Sequence, residues 1–297
     1  MSAPKLLVTG GSGQVGTGIS YANRGRFELV APPRATLDLS DGTSIESSIV
    51  SGEWAAIINC GAYTAVDKAE TDRASAFAIN AEAPDLIARA AARLNIPLLH
   101  VSTDYVFDGS KDAPYDEEDR VAPLGVYGAS KEAGENAVRA AGGRHIILRT
   151  AWVVSPWGNN FVKTMLRLGA ERETLGVVAD QIGCPTSATD IAETLLGLTE
   201  ALFTDSDTPT GTYHFVNAGE ASWYDLANHV FKRAAEHGFK SPKVNAIATA
   251  DYPTPARRPA NSRLSTAKLS RDHGITPRPW RAAVDEIVDT LQKDLHA

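Results

Sequence analysis

Tyr127 and Lys131 stand four residues apart in the segment LGVYGASKEAGE, residues 124–135. Four residues make about one turn of an α-helix, so both side chains share one face of the helix that this segment predicts. A free phenol has a pKa near ~10, and an adjacent ammonium lowers it by favouring the phenolate. The pair has the types and spacing of a proton donor and the charge that tunes it. Exposed helix faces also carry such pairs, so other motifs must distinguish the two interpretations.

A glycine-rich loop, LLVTGGSGQVG, precedes the first predicted helix. It places Gly10, Gly13 and Gly16 directly after an apolar strand, with Gln14 and Val15 in the same loop. Glycines there permit a tight turn and let a pyrophosphate approach the backbone N–H groups of a helix N-terminus. The spacing predicts a dinucleotide-binding loop, the alternative being a tight turn without a ligand.

The segment ELVAPPRATLDLSD indicates which dinucleotide is bound. No acidic residue stands directly at the predicted strand end, where one would bind ribose hydroxyls, but the same segment contains Arg34 nearby, which suits a 2′-phosphate. This favours NADPH, with NADH still possible because a solvated loop arginine is common. We expect Asp38 and Leu39 to flank the adenine, and Ala62 to complete the cofactor contacts.

The segment HVSTDYVFDG ends another predicted strand at Ser102 and Thr103. Ligands of doubly wound sheets bind at the carboxyl ends of strands, so both hydroxyls are expected to face the crevice that receives the nicotinamide. Thr103 would hold a substrate oxygen while Tyr127 gives that oxygen a proton as hydride reaches the carbon. Lys131 would supply positive charge and hold the nicotinamide ribose. The product would be an alcohol.

These side chains require a scaffold of alternating strands and helices. Short apolar runs predict the strands, and amphipathic segments lie between them: KLLVT, FELVA, AAIIN, PLLHVS and HIILRT. That rhythm predicts an α/β fold with a Rossmann-type, doubly wound parallel sheet. Pro84 should kink or split the helix RASAFAINAEAPDLIARAAARLN.

The length of 297 residues predicts two units. We assign residues 1–155, joined by about 186–208, to the dinucleotide-binding domain, and residues 156–297 mainly to a smaller C-terminal α/β substrate lobe. The turn-rich segment ADYPTPARRPANS predicts a long functional loop. Asp67, Lys68 and Glu70 are interpreted as a charge cluster at a helix start, not as a site.

Composition excludes several classes of function. With 36 acidic and 29 basic residues, a net charge of −7 disfavours nucleic-acid and anionic-membrane partners. No apolar run is long enough for a membrane span or a signal-peptide core, which predicts a cytoplasmic protein. Cys60 and Cys184 show no metal or redox spacing and are expected to be buried thiols. The seven histidines lack paired metal spacing, so no catalytic metal is predicted.

The glycine spacing, Thr103 and the Tyr127–Lys131 pair resemble the extended branch of the short-chain dehydrogenase/reductase superfamily. Its nucleotide-sugar dehydratases carry Thr-Asp-Glu where this chain has Thr103-Asp104-Tyr105, which disfavours elimination of water. Longer segments resemble the dTDP-4-dehydrorhamnose reductase family: AYTAVDKAE (62–70), STDYVFDG (102–109), VYGASKEAGE (126–135), RTAWVV, GNNFVKTML and YPTPARRPANSRL (252–264).

The resemblance implies reduction of the 4-keto group of dTDP-4-dehydro-L-rhamnose to dTDP-L-rhamnose, the last step of dTDP-rhamnose biosynthesis. It implies a set of substrate-binding residues: Val66, Thr103, Asp104, Tyr105, Tyr127, Trp152, Asn160 and Arg257, with Arg258 as the alternative to Arg257. Some members bind Mg²⁺ at a dimer contact, but no position here can be matched to it, and a homodimer is an expectation. Two alternatives stay open: a reductase of another dTDP-keto sugar, and a non-catalytic regulatory subunit of the methionine adenosyltransferase type.

Overall fold

The apolar runs of the first half form buried parallel strands, as predicted. The computed structural model describes residues 3–296. Leu6 and Leu7 on one strand and Ile57 and Ile58 on another are 0% exposed, so consecutive side chains are buried on opposite faces of the sheet. Burial on both faces explains why these runs lack the polar alternation of half-exposed strands.

The described part of the chain contains thirteen strands, several of only two residues: β1 (Lys5–Thr9), β2 (Glu28–Val30), β3 (Ala56–Asn59), β4 (Leu98–Thr103), β5 (His145–Thr150), β6 (Val153–Val154), β7 (Thr174–Val178), β8 (Ile182–Gly183), β9 (Thr186–Ser187), β10 (Gly211–His214), β11 (Ala221–Ser222), β12 (Lys243–Ile247) and β13 (Asn261–Ser262). Its α-helices are α1 (Gln14–Ala22), α2 (Gly42–Val50), α3 (Val66–Ala69), α4 (Arg73–Phe77), α5 (Ala83–Arg93), α6 (Val126–Ala140), α7 (Phe161–Glu171), α8 (Ala188–Thr204), α9 (Trp223–Ala235), α10 (Ala267–His273) and α11 (Trp280–His296).

The main sheet has six parallel strands in the order β2-β1-β3-β4-β5-β10. Residues of α1 and α8 pack on one face of it, and residues of α2 and α5 pack on the other. The strand order reverses between β1 and β3, so a crevice opens at their carboxyl ends, where ligands of such folds bind. The predicted fold class is confirmed.

The second half of the chain builds a separate core around α7, α9 and α11 and the paired strands β7 and β12. Helix α9 starts at a capping box in which Ser222 and Asp225 exchange hydrogen bonds. The two-unit division stays a prediction, with one extension. Strand β10 lies beyond the range 186–208 yet pairs with β5, a long-range contact that local sequence patterns do not report.

The helix that contains Pro84 is split, as predicted. A π-helical turn, Ala78–Glu82, separates α4 from α5, and Pro84 lies in the first turn of α5. Asn80 in that turn is 0% exposed, and its side chain bonds to the backbone of Tyr63 and to Ser130 of α6. The turn thus fixes the position of α6 relative to the sheet.

The long loop predicted near the C-terminus is also present, since residues 252–260 contain neither helix nor strand. Within residues 3–296, no helix combines the length and the apolar character that crossing a membrane requires. Cys184 is buried as expected, but Cys60 is only half-buried because it lies at the carboxyl end of β3, on the crevice.

Candidate active site

A cavity of about 600 Å³ occupies the crevice at the carboxyl ends of β1, β3 and β4. All the residues predicted to contact the cofactor line it: Gly10, Gly13, Gln14, Val15, Gly16, Arg34, Asp38, Leu39, Ala62, Tyr127 and Lys131. Five further predicted substrate residues line it as well: Val66, Thr103, Asp104, Tyr105 and Trp152. Asn160 and Arg257 lie outside this lining.

The glycine loop has the backbone that a pyrophosphate cradle requires. Gly10 has a φ of +67°, and a Cβ there would lie 2.6 Å from the backbone of Gly61. A Cβ at Gly16 would lie 2.4 Å from the carbonyl oxygen of Gly10. The loop is therefore closed too tightly for side chains, and it leads into the N-terminus of α1, whose dipole favours an anion. These residues fit a dinucleotide.

Helix α6 presents Tyr127 and Lys131 to the cavity from its first two turns. The helix begins after Gly125, and Glu70 accepts a hydrogen bond from the N–H of Val126 with its Oε1 atom at 2.8 Å. This carboxylate satisfies one free donor of the helix N-terminus. Glu70, one member of the predicted charge cluster, thus positions the helix that carries Tyr127 and Lys131.

Burial determines the protonation of Tyr127. It raises the pKa of the phenol to about 12, and the hydrogen bond with Thr103 opposes that rise. The prediction of a lowered pKa is wrong here, because enclosure penalises the phenolate more than its surroundings favour it. Tyr127 therefore holds its proton across the neutral range, as free tyrosine does, and the raised pKa makes the phenol a weaker acid than free tyrosine.

Lys131 is 2% exposed and its ammonium has lost nearly all contact with water. Burial lowers its pKa to about 8, and the negative charge of Glu135 opposes that change. Its Nζ atom donates a hydrogen bond to the carbonyl oxygen of Val101 at 2.8 Å and lies 3.4 Å from Nε2 of His100. The side chain is held rigidly against the end of β4.

Thr103 and Asp104 form a polar corner of the cavity. Thr103 Oγ1 donates a hydrogen bond to Oδ1 of Asp104 at 2.9 Å and accepts one from the N–H of Tyr105 at 3.2 Å. Asp104 Oδ2 is buried without a hydrogen-bond partner in the described chain. Burial raises the pKa of Asp104 to about 6, with Ser262 and Thr103 opposing the rise. A buried acceptor beside the cavity is suited to a ligand hydroxyl.

Comparison with known proteins identifies the family. The family model described as "RmlD substrate binding domain" matches residues 4–293. A dTDP-4-dehydrorhamnose reductase of Sinorhizobium fredii is 45% identical over 288 residues, which cover 97% of each chain. The chain belongs to the dTDP-4-dehydrorhamnose reductase family.

Solved structures of this family have the same fold. The dTDP-4-dehydrorhamnose reductase of Clostridium acetobutylicum matches with a TM-score of 0.90 and 37% identity, over 97% of this chain and 99% of that one. The Bacillus anthracis enzyme, solved in complex with NADP, also matches with a TM-score of 0.90, at 33% identity and the same coverage. The cavity described above therefore lies in the fold of a reductase family.

Aromatic side chains form the wall of the cavity on the side of the second core. Trp152 has a φ of 48°, an uncommon conformation for a bulky residue, and stacks on Trp223 with ring centroids 3.5 Å apart. Tyr105 meets Tyr127 edge to face at 5.4 Å. A strained aromatic residue held by its neighbours is typical of a functional site. The flat wall suits the apolar side of a sugar.

The structure does not support the predicted substrate contact of Asn160. Its side-chain amide caps α7 by accepting from Lys163 N, and donates to Oε1 of Gln14 at 3.0 Å and to the carbonyl of Ser155 at 2.8 Å. The amide is therefore saturated by protein partners. Asn160 links the glycine loop to the second core.

The two loop arginines have different environments. Arg258 makes two hydrogen bonds to the carboxylate of Asp67, at 2.8 and 3.1 Å. Asp67 also accepts from the backbone N–H of Ala256, so it fastens the loop of residues 252–260 to α3. The side chain of Arg257 is exposed.

Ser102 also borders the cavity, but its hydroxyl does not serve the crevice as predicted. It donates to Oε1 of Glu135 at 2.6 Å. Glu135 is 0% exposed and pairs with Arg149 and Arg139. Because neighbouring strand residues point to opposite faces, Ser102 joins β4 to α6 while Thr103 faces the cavity.

The sequence analysis missed several residues that line the cavity: Gly11, Ser12, Pro32, Leu37, Cys60, Gly61, Thr64, Ile79, Val101, Thr150, Ala151, Val153, Gly158 and Asn159. The segment NCGAY after β3 carried a usable signal, since a glycine at a strand end next to the first loop indicates a close backbone approach. Within residues 3–296, no group of three or more His, Cys, Asp or Glu side chains could hold a metal ion.

Proposed function

We propose that this chain uses NADPH to reduce the 4-keto group of dTDP-4-dehydro-L-rhamnose to dTDP-L-rhamnose, the last step of dTDP-rhamnose biosynthesis. One observation carries the proposal. Thr103, Tyr127 and Lys131 line one cavity with a glycine loop that fits a dinucleotide, in a chain of the dTDP-4-dehydrorhamnose reductase family. Membership of this family supports an oxidoreductase reaction. The role of each residue in that reaction is part of the proposal.

A bound reduced nicotinamide would supply the hydride. Residues of the chain hold the keto oxygen and donate the proton. Thr103 holds the keto oxygen in place by turning its hydroxyl proton from Oδ1 of Asp104 to that oxygen. Tyr127, which keeps its proton because burial raises its pKa to about 12, donates that proton as negative charge develops on the oxygen. Asp104 accepts a hydrogen bond from a sugar hydroxyl with its buried Oδ2 atom. Lys131 holds the ribose beside Tyr127.

Arg34 supports NADPH as the preferred cofactor. Its side chain is 77% exposed at the rim of the cavity and lies 3.4 Å from Asp38, so the guanidinium is available to a 2′-phosphate. The Bacillus anthracis relative was solved with NADP. NADH is the alternative, and the rate ratio of the two cofactors tests it.

Arg257 is our candidate for the diphosphate of the substrate. Arg258 is engaged by Asp67, whereas the exposed Arg257 next to it is open to a bidentate phosphate contact.

A cytoplasmic location and a homodimer stay predictions. The homodimer is tested by light scattering with and without Mg²⁺.

The proposal is tested by mixing the purified protein with dTDP-4-dehydro-L-rhamnose, generated enzymatically in situ, and following the absorbance of NADPH and NADH in separate reactions. We expect oxidation that depends on the sugar and is faster with NADPH. Cofactor binding without oxidation would contradict the proposal and favour the regulatory-subunit alternative. Comparable turnover of another dTDP-keto sugar would favour the other alternative.

A further inference from the structure

A row of buried polar side chains crosses the sheet to reach Lys131, and the reaction described above does not use it. Thr9, Asn59 and His100 lie on the adjacent strands β1, β3 and β4, and none is more than 1% exposed. Polar side chains among apolar strand residues cost free energy unless each is hydrogen-bonded. Hydrogen bonds connect the three side chains in a row, from Thr9 to Asn59 and from Asn59 to His100.

The hydrogen bonds of this row can be followed from Gly61 to Lys131. The N–H of Gly61 donates to Thr9 Oγ1 at 3.2 Å, and Thr9 Oγ1 donates to Asn59 Oδ1 at 2.5 Å. Asn59 Nδ2 lies 2.9 Å from Nδ1 of His100, and Nε2 of the same ring lies 3.4 Å from Nζ of Lys131. This row of hydrogen bonds therefore connects the backbone of Gly61, beside the glycine loop, to Lys131 in the cavity.

The N–H of Gly61 occupies one lone pair of Thr9 Oγ1, and the Thr9 hydroxyl donates to Oδ1 of Asn59, which together give the direction of this row of hydrogen bonds. Thr9 accepts from Gly61 and passes its own proton to the oxygen of Asn59, whose NH₂ group then faces the imidazole. Nδ1 of His100 must accept, and the single proton of a neutral ring is on Nε2. The reverse polarity would aim two donors at Thr9 and leave its hydroxyl proton without this acceptor.

We propose that Thr9, Asn59 and His100 are positioning residues that hold the imidazole in its Nε2–H form and so set the pH at which Lys131 loses its proton. An N–H aimed at Nζ opposes the ammonium and favours the neutral amine, which has a lone pair to accept. This inference rests on the proposed function, because it concerns the lysine that serves Tyr127 there.

The other groups around Lys131 leave this role to His100. Glu135, one turn further along α6, favours the ammonium. Cys60 at the end of β3 is a neutral thiol there, because burial raises its pKa to about 12. Glu135 is largely neutralised by Arg149 and Arg139, and Tyr127 keeps its proton. Burial holds the pKa of His100 well below its usual value, so the ring is neutral. His100 is then the polar side chain nearest Nζ that disfavours the charge.

The test is the pH dependence of kcat/KM for the keto sugar, with His100→Gln compared against wild type. A glutamine amide can turn its oxygen towards Nζ and accept from the ammonium, so we expect the alkaline limb of the profile to move up by about one pH unit. The matched control is His214→Gln, an equally buried histidine that contacts Arg149 instead of Lys131. That variant should keep the limb of the wild-type profile.

A second measurement needs no substitution. The ¹⁵N chemical shifts of His100 in wild-type protein, recorded about one pH unit above the limb, report which ring nitrogen carries the proton. We expect Nε2–H. An unmoved limb in folded His100→Gln, or an Nδ1–H ring in the wild type, would overturn the inference. A wild type that binds cofactor without turning over the sugar would contradict the proposed function instead, and the ¹⁵N shifts would still decide the tautomer.

Discussion

Glu70, the residue that follows α3, accepts a hydrogen bond from the backbone N–H of Val126, the residue immediately before Tyr127. The distance from its Oε1 atom to that nitrogen is 2.8 Å. A side chain from the connection between α3 and α4 thus fixes the end of α6 that carries the proposed proton donor. The carboxylate of Glu70 contributes by positioning α6 rather than by chemistry.

Replacing Glu70 should therefore affect both stability and catalysis. We expect Glu70→Ala to lose about 1 kcal/mol of unfolding free energy, as other helix-capping substitutions do. The value of kcat should fall more than KM changes, because Tyr127 loses its fixed position. Chemical denaturation and steady-state kinetics measure the two effects. Glu200→Ala, at an exposed position of α8, is the control, and an unchanged kcat in Glu70→Ala would contradict this role.

Tyr127→Phe tests the proton donor. Without the phenolic proton, kcat should fall by about 10²–10⁴-fold. The dissociation constant for NADPH should stay close to that of wild type, since the ring that lines the cavity is retained. Tyr115→Phe is the matched control, because Tyr115 is a buried tyrosine whose hydroxyl donates to Asp108 outside the cavity lining. Full activity in Tyr127→Phe would exclude it as the acid.

Asp104 should make stability depend on pH. Burial raises its pKa from 3.8 to about 6, so the folded chain holds this proton more tightly than the unfolded chain does. Stability is therefore lost as the pH rises between those two values, by about 3 kcal/mol. Asp104→Asn should raise Tm relative to wild type at about pH 8 and much less at about pH 4.

The same variant should lose activity. The amide of Asp104→Asn can still accept from Thr103, but it no longer offers a carboxylate oxygen to the substrate. We expect kcat/KM for the keto sugar to fall by about tenfold at pH values above the wild-type pKa. Equal kcat/KM in Asp104→Asn and wild type would contradict a contact between Oδ2 of Asp104 and the substrate.

The two loop arginines can be distinguished by one comparison. Arg257→Ala should raise KM for the nucleotide sugar by about tenfold through a lost phosphate contact, with Tm unchanged. Arg258→Ala should raise KM by freeing the loop from α3, and Asp67→Asn should reproduce that effect because it removes the same ion pair. If Asp67→Asn left KM unchanged, the loop would not depend on this pair.

Local patterns were sufficient for the scaffold. The buried strands, the glycine loop and the split at Pro84 all follow from residue type and short-range spacing, which act within one element. Tyr127 and Lys131 could be placed together for the same reason, since both residues lie on one helix.

Contacts between distant residues could not be predicted in this way. Asn59 and His100 are 41 residues apart, and Asp67 and Arg258 are 191 apart. No local pattern predicts that such side chains meet, so Asp67 was interpreted as part of a charge cluster at a helix start. The pKa of Tyr127 was also predicted in the wrong direction, because the depth of a side chain is set by the whole fold.

The most direct test of the central claim follows the hydride itself. The protein is incubated with dTDP-4-dehydro-L-rhamnose and NADPH that carries deuterium at the reactive position of the nicotinamide, and the product is analysed by mass spectrometry and NMR. We predict dTDP-L-rhamnose with one deuterium at C4 of the sugar. Unreduced keto sugar, or a product without deuterium at C4, would contradict the account.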